Sequence, residues 1–232
     1  MNRLLTNGGT LFVAIIKGAL DFNHHDLISF DIFDTLFYRR CGGFFKVFER
    51  LEEQSGIDGL AQLRKSTEVQ LLHQLQREIS FDEIYAALNQ LKPEHDWETI
   101  KKRELELEEE NIVVSNRAWQ ALQKARSRGA TIIFLSDMYM NKKWIQEQLQ
   151  SHSIWKEGDL LFVSSEAGSN KRSGKLFETV RKDFPGLKWK HSGDNLLSDV
   201  LSAYRLGITS IWLPHSYLRS IHDQLYPSCG IL

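Results

Sequence analysis

The stretch Leu27-Ile28-Ser29-Phe30-Asp31-Ile32-Phe33-Asp34-Thr35-Leu36 opens with a mainly apolar run, 27–30, and reaches its first carboxylate at Asp31. Similar short apolar runs occur at 131–135, 160–163, 208–213 and, more weakly, 189–191. These runs do not alternate with polar residues, which is the pattern of strands buried on both faces of a parallel sheet. The sequence therefore predicts five buried strands, the first of which ends at the Asp31 segment.

Helical patterns separate most of these predicted strands. They lie at 118–128, 142–149, 175–182 and 196–204, and glycines follow the first and the last of them. Strands that alternate with helices at this spacing are typical of an α/β fold. The predicted fold class is a doubly wound parallel sheet with right-handed crossovers.

One interval, from about residue 40 to residue 115, contains no convincing strand. Its apolar residues recur with helical spacing instead, and Ser80 with Glu83 matches a capping box at a helix start. Helices are predicted at 44–51, 60–75, 81–91 and 97–110. The predicted domains are therefore a core formed by 1–39 and 115–232, and a helical unit at 40–114 inserted after the first strand.

Composition narrows the functional class. The chain has 232 residues and a formal net charge of −1, so no overall field favours nucleic acid or an anionic membrane. Its two cysteines, Cys41 and Cys229, form neither a CxxC pair nor a zinc spacing, which favours reduced thiols and a cytoplasmic location. The apolar run 11–16 is too short to span a bilayer. It predicts a short helix packed on the core, with shallow attachment to a membrane or partner as the alternative.

Polar residues that suit one reaction follow the predicted strands. In open α/β sheets, ligands bind at the carboxyl ends of the strands. A carboxylate there can attack phosphorus, and Mg²⁺, which prefers oxygen ligands, can shield the two anions that meet. A hydroxyl can hold a phosphoryl oxygen, and an ammonium can neutralise the developing charge. The residues placed to do this are Asp31, Ser136, Asp137, Lys171, Asp194, Asn195 and Asp199.

The order of these residues resembles the four motifs of the haloacid dehalogenase superfamily. Asp31-Ile-Phe-Asp-Thr35 is similar to the first motif and Ser136 to the second. Lys171 is similar to the third, and Gly193-Asp194 with Asp199 to the fourth. The stretches Asp31-Ile-Phe-Asp-Thr-Leu and Ser136-Asp-Met-Tyr further resemble predicted bacterial hydrolases associated with glycosyltransferases of surface-polysaccharide synthesis.

This resemblance implies roles for the matched residues. Asp31 would be the nucleophile, and Ser136 and Lys171 would complete the catalytic set. The metal ligands would be Asp31, the backbone carbonyl of Phe33, and Asp194, with Asp199 binding through water or orienting Asp194. The insert at 40–114 would be a cap of the superfamily's first type, which closes over the site and selects the substrate. The substrate-binding residues are predicted to be Thr35, Arg39, Asp137 and Asn195.

The sequence departs from the superfamily's phosphatases at Phe33. Those enzymes carry there an aspartate that protonates the leaving group and then activates water. On an extended segment Asp34 would point to the opposite face and could not substitute for it directly. The departure predicts slow turnover unless another acid, such as Asp137 or a cap glutamate, serves instead.

Three functions follow from this reasoning. The first is a Mg²⁺-dependent phosphohydrolase or phosphotransferase that acts on a small phosphorylated metabolite, with a sugar phosphate as one candidate. The second is a non-catalytic or regulatory domain that keeps the fold and has lost turnover. The third is a dehalogenase, since dehalogenases of this superfamily also lack the second aspartate, although they need no metal. The expected partners are the small substrate and glycosyltransferase machinery, without nucleic acid and without a membrane span.

Overall fold

The predicted parallel sheet is present in the computed structural model of the protein, which describes residues 2–21 and 23–214, the first seven by their backbone alone. Five strands of this part of the chain form one sheet in the order β5-β4-β1-β6-β7, and every pairing in it is parallel. The strands are β1 (Leu27–Asp31), β2 (Phe37–Arg39), β3 (Ile112–Val114), β4 (Thr131–Ser136), β5 (Leu160–Val163), β6 (Trp189–Gly193) and β7 (Thr209–Trp212).

Helices cover both faces of this sheet and fill the interval between β2 and β3. They are α1 (Asn2–Ala19), α2 (Phe44–Ser55), α3 (Leu60–Leu75), α4 (Phe81–Leu91), α5 (Trp97–Asn111), α6 (Asn116–Ser127), α7 (Lys142–Ser151), α8 (Ser164–Ala167), α9 (Lys175–Asp183) and α10 (Ser202–Arg205). The α/β fold class and the five predicted strands are confirmed. The boundaries agree within about two residues, apart from the longer α1 and from α2, which ends four residues later than predicted. Periodic burial is clear from the sequence, while helix and strand ends fray.

The expectation of no strand between residues 40 and 115 is wrong. β3 pairs antiparallel with β2, which places Phe37 opposite Val114 and Arg39 opposite Ile112. Strands of three residues are too short to show a period of two, so the pattern could not reveal them. We call α2–α5 the helical insert, since these four helices leave and re-enter the core through this two-stranded ribbon. The domain boundaries after residues 39 and 114 stay a prediction.

The predicted helix at 196–204 is divided in the structure. Its first part, Leu196–Leu201, is a π-helical segment, and α10 follows it. Asn195 caps this segment, because its side chain accepts hydrogen bonds from the backbone N–H groups of Leu197 and Ser198 at 3.0 and 3.1 Å. Such wide turns commonly occur at functional sites, and this one carries Asp199.

The amino-terminal helix is longer than the predicted run at 11–16. α1 packs against β7, and its closest approach is at Gly18, where a Cβ atom would lie 1.7 Å from the carbonyl oxygen of Ser210. Only glycine allows the helix and the strand to meet this closely. Among the described residues, no helix is both long and apolar enough to cross a membrane. Cys41 is a free thiol, and Cys229 lies outside the described residues.

A buried guanidinium lies at the centre of the helical insert. Arg64 of α3 donates two hydrogen bonds of 2.9 Å to Glu104 of α5, and a third of 3.1 Å to Glu68. The hydroxyl of Tyr85 donates to the same Glu104 carboxylate at 2.6 Å. Because Arg64 and Glu104 are both fully buried, each depends on the other for compensation of its charge.

Contacts to the β2–β3 ribbon and to the loop after β4 join the helical insert to the core. Arg39 of β2 forms a bidentate ion pair with Glu108 of α5, at 2.7 and 3.1 Å, and both side chains are buried. Tyr139, in the loop after β4, lies with its ring 4.7 Å from the Arg64 guanidinium, and its carbonyl accepts a 2.8 Å bond from the backbone N–H of Phe81. These contacts hold the insert over the carboxyl ends of the strands.

We expect replacement of Glu104 by alanine to destabilise the protein by about 3 kcal/mol or more, because it leaves the buried Arg64 without its main partner. Urea unfolding followed by circular dichroism measures this loss. Glu106→Ala is the matched control on the same helix, since Glu106 is exposed and its ion pairs are worth less than about 1 kcal/mol. Equal losses in the two variants would contradict a structural role for the buried pair.

Candidate functional site

The predicted site residues meet at one edge of the sheet. Asp31 ends β1 and Ser136 ends β4, its hydrogen-bonded neighbour, while Asp194 follows β6 on the other side of β1. Parallel strands bring their carboxyl ends to the same edge, so the three side chains emerge together. Lys171 enters from the loop between α8 and α9. The four residues of the predicted motifs therefore lie around one cavity of about 280 Å³.

The Lys171 ammonium is the central contact of the site. It forms ion pairs with Oδ1 of Asp31 and with Oδ1 of Asp199, the latter at 2.6 Å, and all three side chains are almost completely buried. Burial alone would lower the pKa of Lys171, but the carboxylates of Asp199 and Asp31 outweigh burial and raise it. The ammonium therefore stays charged in a place that water hardly reaches.

The two carboxylates that share this ammonium have different protonation preferences. Burial raises the pKa of Asp31 well above its usual range. The Lys171 ammonium opposes this shift, and the negative charges of Asp199 and Asp194 add to it. Burial acts in the same direction on Asp199, yet Lys171 and a hydrogen bond from His191 hold the pKa of that carboxyl below its usual range. One ammonium thus compensates one carboxylate, and a further cation is needed to keep Asp31 ionised.

The donor set fits a hard divalent cation. One carboxylate oxygen from each of Asp31, Asp194 and Asp199 lies within 4.8 Å of the others. Asp199 has little capacity left, because Oδ1 binds Lys171 and His191 and Oδ2 accepts a 2.9 Å bond from the backbone N–H of Asn195. Asp31 and Asp194 are therefore the better placed direct ligands, and Asp199 holds the backbone beside Asp194. Mg²⁺ commonly takes one or two carboxylates together with water and phosphate oxygens.

The side chain of Phe33 belongs to an apolar stack. Its ring is parallel to that of Trp144, at 6.4 Å between centroids and 7°, and the Arg39 guanidinium lies 5.1 Å from its centroid. The position at which the sequence resemblance would place a proton-transferring aspartate is thus filled by a packed hydrocarbon ring. The carbonyl of Phe33 as a metal ligand stays a prediction.

Asp34 differs from its sequence-based expectation. Its φ of +64° places it in the left-handed region, so the segment is not extended there, and Asp34 lines the cavity. Asp is one of the few residues other than glycine that adopt this conformation readily. Its carboxylate lies 3.9 Å from the Arg39 guanidinium. The positive φ directs Asp34 to the same cavity as Asp31.

The predicted substrate-binding residues occupy different positions. Arg39, Asp137 and Asn195 line the cavity, although the Arg39 guanidinium is already paired with Glu108. Thr35 is buried instead, and its hydroxyl donates to Oδ2 of Asp31 at 2.7 Å. Thr35 therefore orients the predicted nucleophile. Direct contact of these four residues with a substrate stays a prediction.

A buried hydrogen-bond chain behind the site was missed in the sequence. The indole N–H of Trp189 donates to Oγ of Ser29 at 2.8 Å, Ser29 Oγ lies 2.7 Å from Nδ1 of His191, and Nε2 of His191 lies 3.2 Å from Oδ1 of Asp199. Burial lowers the pKa of His191, so its ring is neutral. With Trp189 donating to Ser29, the chain is satisfied if Ser29 donates to Nδ1 and the Nε2–H donates to Asp199. Ser29 and His191 are polar residues within predicted buried strands. Polar residues at such positions need hydrogen-bond partners, and this was the sequence feature that could have indicated the chain.

Replacement of Gly193 by alanine is expected to disrupt the site, because the new Cβ would lie 2.3 Å from Cγ of Asp199. Overpacking of this kind costs about 1–3 kcal/mol, and it would displace Asp199 from Lys171. Thermal melts with and without MgCl₂ should show a lower Tm and a smaller magnesium-dependent rise. Gly43→Ala is the control, since Gly43 has an ordinary φ of −91° and nothing within 4 Å of its added Cβ. An unchanged magnesium response in Gly193→Ala would contradict the assigned packing.

The raised pKa of Asp137 predicts that the stability of the folded protein depends on pH. Desolvation on the cavity side raises the pKa of its carboxyl to about 6, with Lys171 opposing the shift, although the residue as a whole is exposed. Because the folded state holds this proton more tightly, the stabilisation is present at low pH and is lost as the pH rises through about 6. Urea unfolding in EDTA should show native stability falling, relative to Asp137→Asn, between pH ~4 and ~7, by no more than about 1 kcal/mol because the residue is exposed and solvent screens its charge. The exposed Asp183→Asn should follow the native protein, and parallel curves for all three would refute the shift.

No protein-family model matches the sequence, and a comparison with curated proteins also gives no match. Solved structures do match. YfnB from Bacillus subtilis, which is described as a HAD-hydrolase bound to magnesium, is 16% identical with a TM-score of 0.60, over 90% of this chain and 92% of that one. L-2-haloacid dehalogenase from Xanthobacter autotrophicus, with chloropropionic acid covalently bound, is 11% identical with a TM-score of 0.60, over 90% and 85%.

A third similar structure is a HAD phosphatase from Thermococcus onnurineus. It is 19% identical with a TM-score of 0.53, over 85% of this chain and 97% of the other. Both phosphatase and dehalogenase therefore occur among the structures that share this architecture. At these identities the likeness establishes the fold, and activity has to be argued from the site. The chain has the fold of haloacid dehalogenase-type hydrolases, a Rossmann-like parallel sheet with a helical insert after its first strand.

Proposed function

We propose that this protein is a Mg²⁺-dependent phosphohydrolase or phosphotransferase that uses Asp31 as its nucleophile. The observation that carries the proposal is the cluster of Asp31, Asp194 and Asp199, two of which, Asp31 and Asp199, are paired with the ammonium of Lys171. Asp31 and Asp199 are buried, and acidic side chains outnumber basic ones around the cavity by six to three. A bound divalent cation would compensate this negative charge and give the cavity affinity for a phosphate group.

The proposed reaction divides into two substitutions at phosphorus. An Oδ atom of Asp31 forms a bond to phosphorus while the bond to the leaving oxygen breaks, and the leaving group takes up a proton. The aspartyl-phosphate then passes its phosphoryl group to water or to another hydroxyl, which gives up a proton and regenerates the carboxylate. Mg²⁺, when bound, would neutralise the phosphoryl oxygens and the attacking carboxylate.

The chain's own residues supply position and charge for these steps. Lys171 holds the Asp31 carboxylate and stabilises charge on the phosphoryl group. Thr35 fixes the second Asp31 oxygen, and Ser136 can donate its hydroxyl to a phosphoryl oxygen. For the proton, Asp137 is the best supported residue, because it lines the cavity and its pKa of about 6 lets it hold or release a proton near neutral pH.

Dehalogenation is the second candidate, and the observation that favours it is Phe33. A dehalogenase needs no proton donor at that position, and dehalogenases are among the similar structures. The charge of the cavity speaks against it. Six acidic and three basic side chains line the cavity, so a metal-free site would repel the carboxylate of a 2-haloacid. This charge is the reason that we prefer the phosphoryl-transfer function.

A non-catalytic role is the third candidate. It also rests on Phe33, because a phenyl ring cannot transfer a proton. The prediction of slow turnover also follows from Phe33, since general acid–base help is worth about 10²–10⁴-fold. A small phosphorylated metabolite, such as a sugar phosphate, is the proposed ligand for either role. A cytoplasmic location and an association with glycosyltransferase machinery stay predictions from the sequence resemblance.

The test is a panel of phosphorylated metabolites with MgCl₂, with phosphate release as the readout and mass spectrometry of Asp31 for a phosphate adduct. We expect Asp31→Asn to lose at least about a thousandfold in kcat, as removal of a nucleophile does, and EDTA to abolish turnover. Asp183→Asn, an exposed change on α9, should leave activity intact.

Each alternative has its own result. Halide release from 2-haloacids in the presence of EDTA would replace the proposal with dehalogenation. Binding of phosphate or beryllium trifluoride with Mg²⁺, but no turnover on any substrate, would replace it with the non-catalytic role. Phosphate release that persists in Asp31→Asn would reject the nucleophile.

A further inference from the structure

Part of the wall of the cavity comes from the helical insert. Phe44 at the start of α2, and Lys65 and Glu68 of α3, line the same cavity as the catalytic residues. Lys65 Nζ lies 2.8 Å from Oε1 of Glu68 and 4.6 Å from the centre of the Phe44 ring. Phe44 and Lys65 are partly exposed and Glu68 is nearly buried. These three residues, which we call the insert wall, are positioned to face the part of a substrate beyond its phosphate.

The charges of the insert wall cancel. The Lys65 ammonium is paired with Glu68, and the other oxygen of Glu68 accepts a 3.1 Å bond from the buried Arg64. A second anionic group on the substrate would find no uncompensated cation on this wall. It would also meet the acidic excess of the whole cavity, where six acidic side chains face three basic ones. The wall therefore disfavours a bisphosphate or a phosphorylated carboxylic acid.

The polar groups of the insert wall suit hydroxyl groups. An ammonium donates hydrogen bonds, a carboxylate accepts them, and a pair held 2.8 Å apart can serve two neighbouring hydroxyls. Phe44 adds an apolar surface for the carbon skeleton. A cavity of about 280 Å³ is near the lower end for small-molecule sites, which suits a single small ring or short polyol.

We infer that Phe44, Lys65 and Glu68 select a neutral, hydroxyl-bearing leaving group, so that the preferred substrates are monophosphates of small polyhydroxylated compounds. This inference rests on the proposed function, because the phosphate site sets the position of the leaving group. Lys65 and Glu68 bind the hydroxyls and are specificity-determining residues. Glu68 has a second effect, since it neutralises Lys65 and so excludes a second anion.

Binding separates this inference from catalysis. Isothermal titration of the full-length Asp31→Asn protein with MgCl₂ compares inorganic phosphate, a hexose 6-phosphate and a hexose 1,6-bisphosphate. We expect the hexose monophosphate to bind more tightly than either. Lys65→Met, added to this background, keeps the stem over Phe44 and removes the donor. It should weaken the hexose monophosphate by about tenfold, the value of one charge-assisted hydrogen bond, and leave inorganic phosphate unchanged.

Glu68→Gln tests the exclusion of a second anion. It releases Lys65 from its partner, so it should tighten the bisphosphate by about tenfold and reverse the order of the two hexose phosphates. Arg64 retains its bidentate pair with Glu104 in this variant, so the fold has its main buried ion pair, and a thermal melt checks this. The matched control for this variant is Glu49→Gln and that for Lys65→Met is Lys46→Met, because Lys46 pairs with Glu49 at the same i,i+3 spacing on α2 outside the cavity.

The outcomes distinguish the two proposals. If neither the native protein nor Asp31→Asn binds inorganic phosphate with Mg²⁺, the proposed function fails and the inference fails with it. If phosphate binds but Lys65→Met and Lys46→Met have equal effects on the hexose monophosphate, only the assignment of the insert wall is overturned. Tighter native binding of the bisphosphate than of the monophosphate would also overturn it.

Discussion

The contact on which the rest of the site depends is the Lys171 ammonium between the carboxylates of Asp31 and Asp199. It joins the end of β1, the loop before α9 and the π-helical segment after β6 at one buried point. Charged groups are costly to bury unless they are paired, so each of these chain segments is held where it is by the other two. Gly193 shows how tight the arrangement is, since Asp199 occupies the space that a side chain there would need. The supporting chain from Trp189 through Ser29 and His191 extends the same constraint into the sheet.

The helical insert is tied to this site by charge as well as by packing. Arg39 reaches Glu108 from the ribbon, and Arg64 meets the ring of Tyr139 from the loop after β4. Both contacts are buried, so opening the insert as a rigid body would expose or separate charged and aromatic groups. The insert therefore contributes part of the cavity wall, through Phe44, Lys65 and Glu68. Because its charges are already paired, this wall disfavours substrates that carry a second anionic group, in addition to binding the hydroxyl groups of preferred substrates.

The region just after β1 shows how one substitution changes a site without changing the fold. Phe33 replaces a group that could transfer a proton, and its ring is held by Trp144 and Arg39. The left-handed turn at Asp34 brings another carboxylate to the cavity, and Asp137 contributes one whose proton is held near neutral pH. Acidic groups are thus available around Asp31, although none occupies the position that similar phosphatases use.

The amino-acid sequence was enough to predict the parallel sheet, the positions of its strands along the chain and the residues at the strand ends, because continuous apolar runs and helical periods are local patterns. It also indicated that Asp31, Ser136, Lys171 and Asp194 belong together, since parallel strands share one edge. The β2–β3 ribbon, the turn at Asp34, the His191 chain and the pairing of Lys65 with Glu68 at the cavity became visible only in the folded chain. Each of these features depends, for its formation or for its place at the cavity, on contacts between residues that are far apart in the sequence. Such contacts produce no periodic pattern of apolar and polar residues from which they could be predicted.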